Sequence, residues 1–121
     1  GNFRFQTDLV SNLPSDFYEK YGLTHENNTA DALDARSKNG TVGLGKNPYV
    51  WESVIASWKS VNKKTEEILL YPITLGYDSP RYKRGLPELS DDRSILRRLA
   101  KLSEPFGTNI EIEGNVGKIK I

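Results

Sequence analysis

Hydrophobic and polar residues alternate strictly at the start of the chain. Phe3, Phe5, Thr7 and Leu9 occupy every second position, with polar or charged residues between them. A period of two places these side chains on one face of an extended backbone. The pattern predicts an edge or half-buried strand over residues 2–10.

A second apolar stretch, residues 66–77, also predicts a strand. It contains Pro72, which has no N–H to donate, so we expect an edge strand or a bulge at this point. The stretch after it, residues 78–89, combines proline, glycine and many charges. This predicts a long loop, and loops of that length often carry function.

Helical spacing of apolar residues appears twice. Asn47 and Pro48 are good helix-starting residues, and the apolar stripe behind them predicts an amphipathic helix over about 48–63. Asp91 and Asp92 precede a second stripe, which predicts a helix over about 91–103. The stripes consist of Trp51, Val54, Ile55, Trp58 and Val61, and of Ile95, Leu96, Leu99 and Leu102.

Two shorter helices are predicted nearer the N terminus. The first covers about 14–21 and ends at Gly22, a good C-cap. The second covers roughly 30–38, with Thr29 as its cap and Asn39-Gly40 behind it.

The last residues predict a β-hairpin over 108–121. A two-residue Gly114-Asn115 turn suits a tight hairpin, and the flanking residues alternate in the same register. The predicted register sets Glu113 opposite Val116, Ile112 opposite Gly117, Glu111 opposite Lys118, Ile110 opposite Ile119 and Asn109 opposite Lys120. It predicts an ion pair between Glu111 and Lys118.

Together these elements predict the α+β class, with two longer amphipathic helices packed on a mixed or antiparallel sheet. The length of 121 residues predicts a single globular domain over 1–121. No apolar run approaches the ~18 residues of a membrane span.

Composition narrows the chemistry. Basic and acidic residues nearly balance at a net charge of +1, so a nucleic-acid or phosphate site has to come from local clustering. There is no cysteine, which excludes disulfides, thiolate metal sites and a cysteine nucleophile. The sequence predicts no cofactor and no metal site, and it leaves the oligomeric state open.

The strongest local charge bias lies in the second half of the chain. Basic residues interleaved with aromatics can bind phosphates and stack on bases. The alternative is a solvated helix face with a charged loop, partly neutralised by Glu88, Asp91 and Asp92. The candidate binding residues are Arg81, Tyr82, Lys83, Arg84, Arg97, Arg98 and Lys101.

The glycine-rich residues 40–47 resemble a phosphate-binding P-loop up to its last position. Asn47 replaces the metal-binding Ser or Thr, and Pro48 removes an amide. We therefore expect a structural loop, with anion binding at Gly43, Gly45 and Lys46 as the minor alternative.

One enzymatic alternative stays open, a small secreted toxin-type ribonuclease that needs no metal. His25 is the only histidine, and it would work with Tyr82 and Arg84. The other interpretation of His25 is a surface residue in a polar loop.

The C-terminal helix and hairpin resemble a known family pattern. Leu96, Leu99 and Ala100, followed by Gly107, Asn109-Ile110, Ile112, Val116, Gly117-Lys118-Ile119 and Ile121, look like the short N-terminal domain of secretins and TonB-dependent receptors. The resemblance implies a periplasmic α+β module that docks partners in envelope assemblies and has no catalytic residues.

We therefore predict a non-enzymatic protein-interaction module of a larger assembly, of the secretion, envelope or phage-like kind. Its contact surface is expected to involve the loop 78–89 and the basic face of the last helix. The alternative is a nuclease or another nucleic-acid-binding domain that uses residues 81–101.

Overall fold

The computed structural model describes residues 14–121, and for Arg81 it describes the backbone alone. The strand predicted over residues 2–10 lies outside the described residues. The chain divides into two compact units, residues 1–47 and 48–121, and each is treated by itself below.

The first unit contains the two predicted short helices. Helix α1 spans Ser15–Tyr21 and ends at Gly22, whose φ of 64° is left-handed, as the glycine C-cap predicted. Helix α2 spans Thr29–Ser37. Its cap is Asn28 rather than the predicted Thr29, because the Asn28 side chain accepts from the amides of the first turn while Asp31 accepts from the Asn28 amide.

The second unit is an antiparallel sheet with one helix. Its strands are β1 (Glu52–Val61), β2 (Lys64–Thr74), β3 (Glu88–Leu89), β4 (Ile110–Glu113) and β5 (Val116–Ile119). The strand order is β1-β2-β5-β4, and β3 pairs with the end of β2. Helix α3, Arg93–Ser103, packs against the sheet.

The helix predicted over about 48–63 is wrong. Only one 3₁₀ turn, Pro48–Trp51, follows the proline, and the chain then runs as β1. The spacing of the apolar residues matches a helix, but β-branched and aromatic residues favour an extended backbone when a partner strand is available. Strand β2 supplies that partner along the whole of β1.

A tight turn at Asn62 and Lys63 joins β1 to β2. Both residues have positive φ values, 50° and 63°, as a two-residue hairpin turn of the primed type requires. The turn contains no glycine, so its sequence gives little warning of a hairpin.

Pro72 lies inside a central strand that has no bulge at this position. The predicted edge strand or bulge at Pro72 is therefore wrong. The second edge of β2 is shared by β5, which pairs with residues 68–70, and by β3, which pairs with residues 73–74. Pro72 falls between the two partners, and its carbonyl accepts from the Ser90 amide at 2.9 Å. Its missing N–H faces this gap between partner strands, so no ladder hydrogen bond is lost.

Helix α3 confirms the helix predicted over about 91–103 and covers one face of the sheet. Leu96 is fully buried and forms the core with Leu70 and Ile110. The helix begins after Asp92, whose carboxylate accepts from the Ser94 amide at 2.8 Å.

The C-terminal hairpin has the predicted register. Ile110 pairs with Ile119, Ile112 with Gly117, and Glu111 lies opposite Lys118. The predicted ion pair is different, however. Glu111 contacts Lys120 at 2.5 Å, while Lys118 reaches across to Glu67 of β2 at 3.4 Å.

The α+β class, the antiparallel sheet and the hairpin are therefore confirmed. The single domain over 1–121 stays a prediction. Within the described residues 14–121, no helix is both long and apolar enough to cross a membrane.

Candidate functional site

Strand β1 carries a row of exposed apolar side chains, distributed over its two faces. Trp58 is 69% exposed, Ile55 is 40% exposed and Val61 is 38% exposed. Of the strands that the structure describes, only β2 pairs with β1, so β1 is an edge strand. An exposed tryptophan on an unpaired strand edge is a common feature of binding surfaces.

The end of β1 next to the turn is basic. Lys59 contacts Glu66 at 3.3 Å across the hairpin. Lys63 and Lys64 make no ion pair with any residue in the range 14–121. The hairpin tip therefore presents two uncompensated positive charges beside the apolar row.

Arg98, a predicted binding residue, has a structural role. Its guanidinium forms an ion pair with Glu52 at the start of β1, and both side chains are partly buried. It also lies over the Tyr49 ring, 4.4 Å from the ring centre. Arg98 therefore connects α3 to the start of β1, and its charge is neutralised within the fold.

Arg84, another predicted binding residue, is also engaged. Its Nε donates to the Ser79 carbonyl at 2.7 Å, and its guanidinium lies 6.0 Å from the centre of the Trp51 ring. The first contact lies within the loop 78–89, and the second joins the loop to the start of the sheet.

The other predicted basic residues fall into two groups. The backbone of Arg81 begins a 3₁₀ turn that includes Tyr82 and Lys83, and the Tyr82 side chain is 80% exposed. Arg97 and Lys101 are exposed and stand one turn apart on α3. The basic face of α3 is thus narrower than the sequence suggests, since Arg98 does not belong to it.

A cleft of about 310 Å³ opens beside Trp51 and Tyr77, whose ring centres are 6.2 Å apart. Carboxylates dominate its charged lining, although the sequence predicts a basic surface in this region. Arg98 neutralises one of them, Glu52. The lining consists of Pro48, Trp51, Glu52, Thr74, Gly76, Tyr77, Asp78, Ser79 and Glu88.

The remaining candidates lie in the first unit. Gly43 has a φ of 88° and precedes a single 3₁₀ turn, Leu44–Lys46, which contains Gly45. One such turn aligns too few amides to make a helix-type anion site. His25 is exposed in the turn between α1 and α2. Its proposed catalytic partners Tyr82 and Arg84 belong to the second unit.

The fold clearly changes the acidity of the Asp92 carboxyl. Hydrogen bonds from the Ser94 amide and hydroxyl lower the pKa of Asp92, with a smaller contribution from the Arg98 and Arg97 charges. This is the signature of a helix cap, since the charged form is the one that accepts the bonds. Over residues 14–121 no cluster of three or more His, Asp or Glu side chains is arranged to hold a metal ion.

Sequence reasoning missed the open edge of β1 because it assigned these residues to a helix. The available signal was the β-branched content of residues 52–61, followed by the polar pair Asn62-Lys63 and a second apolar stretch.

The chain is similar to two curated proteins of Sinorhizobium fredii (strain NBRC 101917 / NGR234), the uncharacterized proteins y4sH and y4uA. Each is 37% identical to it over 131 aligned residues. The alignments cover 100% of this chain and 28% of each relative, so the chain spans little more than a quarter of their length. No protein-family model matches the chain. The resemblance to the secretin and TonB-receptor domain stays a prediction.

Proposed function

We propose that this chain is a non-enzymatic protein-interaction module of a larger assembly, and that the edge of β1 is its main contact surface. The observation that carries the proposal is the exposed Trp58 on a strand that, among the described residues 14–121, pairs on one side only. Tryptophan is enriched at the centres of protein interfaces, because it buries much area and loses little entropy.

The position of Trp58 in the sheet supports this role. It pairs with Ile68 on the face that α3 covers, yet it remains largely exposed, whereas Ile68 packs against the core. Burying Trp58 therefore requires atoms that the described residues do not supply.

The length of the relatives supports the larger assembly. Since the chain aligns with 28% of y4sH and y4uA, a domain of this kind can be one part of a longer polypeptide. A binding edge is then a means of joining it to other parts or to another protein.

The loop 78–89 and the basic face of α3 remain the predicted second contact surface. Tyr82 and Lys83 are exposed there, and so are Arg97 and Lys101. These residues suit the rim of an interface, where charges affect the association rate more than the affinity.

A peptide selection tests the proposal. The purified 121-residue chain is used to enrich binders from a displayed library of random short peptides. Enriched peptides are expected to bind Trp58→Ser at least about tenfold more weakly than the unmodified chain, a loss of about 1.4 kcal/mol.

Phe106→Ser is the matched control, because it removes an exposed aromatic ring that belongs to neither proposed contact surface. We expect it to leave peptide binding unchanged. If no peptide is enriched, or if binding depends on Phe106 and ignores Trp58, the proposed role of β1 is wrong.

A nucleic-acid-binding function, including a ribonuclease, is the second candidate. The observation that favours it is the exposed Tyr82 ring beside the exposed Lys83. Incubation of the chain with total RNA tests it. If the chain is a nuclease, His25→Ala should abolish RNA cleavage. Intact RNA together with no binding of single-stranded oligonucleotides would eliminate this candidate.

A further inference from the structure

The backbone of β1 indicates how a partner binds. Resting on the proposed interaction function, we propose that the partner adds to the sheet as a further β-strand along the open edge of β1. The partner is an extended peptide segment, apolar on the face of Trp58 and with a carboxylate near the turn at residues 62–63.

Pro72 reveals which amides of β1 point outward. In a strand, the N–H and C=O of one residue point to the same edge. The Pro72 carbonyl is bonded to the Ser90 amide, on the side of β2 that faces away from β1. Val54 lies opposite Pro72, so this is a pair without mutual hydrogen bonds, and the Val54 amide and carbonyl face the open edge.

The alternation extends the result along the strand. Ala56 is opposite Leu70 and Trp58 is opposite Ile68, two and four residues further on in the same register. Their amides and carbonyls therefore also point outward. The Trp51 carbonyl, which accepts from the Leu75 amide at 2.7 Å, confirms that odd-numbered residues bond inward.

None of these outward amides has a partner among the described residues. Neither Val54, Ala56 nor Trp58 donates a backbone hydrogen bond beyond the β1–β2 ladder. Residues 55–61 are also exposed. An unpaired row of alternating donors and acceptors is the surface on which another strand adds.

The bulge near the turn lies in β2 and not in β1. Lys59 is opposite Glu67 and Ser60 is opposite Thr65, so Glu66 is the residue without an opposite, and the uninterrupted register from Pro72 fixes the outward direction along β1 as far as Trp58. A partner strand accordingly has its backbone bonds at Val54, Ala56 and Trp58, and its end lies beside the basic turn.

The side chains of β1 specify the partner's pattern. Val54, Ala56 and Trp58 share one face, whereas Ser53, Ile55 and Ser57 share the other. Cross-strand neighbours pair like with like, so the partner is apolar on the first face and polar on the second except opposite Ile55. The uncompensated Lys63 and Lys64 favour an acidic residue at the end near the turn.

The charges argue against two other possible partners, a second copy of this chain and a nucleic acid. A second copy of this chain offers Glu52 as the one carboxylate of its β1, and Arg98 already holds that group. A nucleic acid needs excess positive charge, but the β1–β2 hairpin contains Glu52, Glu66 and Glu67 as well as Lys59, Lys63 and Lys64. A peptide backbone is the partner that matches both the amides and the carbonyls.

Amide hydrogen exchange, read residue by residue by NMR, tests the inference without any substitution. A selected peptide that carries the predicted pattern is added to the 121-residue chain. We expect protection to rise at least about tenfold at Val54, Ala56 and Trp58, because each amide acquires a bond. Ser53, Ile55 and Ser57 should change little, since they are bonded already.

Ala56→Pro supplies the second arm. It deletes one outward N–H and obstructs an added strand, but it removes no bond of the β1–β2 ladder. Binding is expected to fall about tenfold or more, and to fall much less in the matched variant Ala56→Ser, which keeps the outward N–H. Retained protection of Ser53 and Ile55 shows that Ala56→Pro is folded.

The outcomes separate this inference from the proposed function. If Trp58→Ser abolishes binding but Ala56→Pro and the exchange of the outward amides are unaffected, the interaction stands and the added strand is wrong. Concentration-dependent dimerisation through β1, or displacement of the peptide by a single-stranded DNA oligonucleotide at low micromolar concentration, would also overturn it. Failure of every peptide to bind overturns both.

Discussion

The two outer strands of the sheet, β1 and β4, are constructed in opposite ways. Strand β4 has four residues, Ile110–Glu113, and two of them are exposed glutamates. Strand β1 has ten residues, Glu52–Val61, and exposes Ile55, Trp58 and Val61. A short charged edge resists pairing with other chains, whereas a long apolar edge invites it.

This difference supports the proposed position of the interaction surface on β1. The β4–β5 side contributes Ile110 to the core and has its charges arranged in ion pairs, such as Glu111 with Lys120. On the β1 side, none of the residues that the structure describes covers Trp58 or pairs with the amides beside it. We therefore expect changes near β4 and β5 to affect stability, and changes along β1 to affect binding.

The largest effect is expected from the covered side. Leu96 is fully buried against Leu70 and Ile110, so Leu96→Ala should lower the free energy of unfolding by about 3 kcal/mol. Leu102→Ala is the matched control, because Leu102 is on the same helix and 63% exposed. Urea denaturation of both variants measures the difference, and equal losses would contradict the assigned core.

Gly117→Ala tests how tightly β5 packs under α3. A Cβ at Gly117 would lie 3.1 Å from Leu96 Cδ2 and 3.2 Å from Ile110 Cγ2. Overpacking of this kind should cost about 2 kcal/mol. Glu113→Ala, on the exposed face of the same hairpin, should cost less than about 0.5 kcal/mol. A Gly117→Ala protein as stable as the unmodified chain would show that the packing is looser than described.

Arg98→Ala tests the connection between α3 and β1. The substitution removes the ion pair with Glu52 and the contact with the Tyr49 ring, and it leaves Glu52 partly buried without a partner. We expect a loss of about 1–2 kcal/mol. Arg97→Ala, one residue away and exposed, should change the unfolding free energy by less than about 0.5 kcal/mol. If Arg97→Ala cost more stability than Arg98→Ala, the structural role of Arg98 would be wrong, and Arg98 would again be a candidate for the binding surface.

Asp92→Ala should lower the unfolding free energy by about 1 kcal/mol at neutral pH, because it removes the cap of α3. The pKa of Asp92 is lowered in the folded protein, so its stabilisation is fully present above the unfolded pKa and is lost as the pH falls through the folded value. The two proteins should therefore differ at pH 7 and converge as the pH falls below the lowered pKa of Asp92. A difference independent of pH would show that the carboxylate charge does not contribute.

The smallest effect on stability is expected at the open edge. Trp58→Ser should change the unfolding free energy by less than about 0.5 kcal/mol, because the ring makes few contacts within the chain. Its solubility should rise, since an aggregation-prone residue is removed. A loss as large as that of Leu96→Ala would mean that Trp58 belongs to the core.

The same comparison shows how far sequence reasoning reaches. The register of β4 and β5 was predictable because a Gly-Asn turn and strict alternation act within a few residues of each other. Strand β1 was mispredicted because Val54, Ile55, Trp58 and Val61 fit a helical stripe as well as a strand. Pairing with β2, which decided the outcome, begins at a turn without glycine.

The candidate site was less predictable for a related reason. Charge clustering identified Arg84 and Arg98, but it could not reveal that Ser79, Glu52 and Tyr49 already engage them. Likewise, whether a strand edge is open depends on which other strands pair with it. That information belongs to the topology of the sheet and not to any local pattern.

Amide exchange in the isolated chain tests the central claim, the open edge of β1, most directly. The account predicts alternation by NMR: Ser53, Ile55 and Ser57 are protected by the ladder to β2, while Val54, Ala56 and Trp58 exchange at close to the unprotected rate. Uniform protection along residues 53–58 would show that another part of the chain already covers this edge, and would contradict the account.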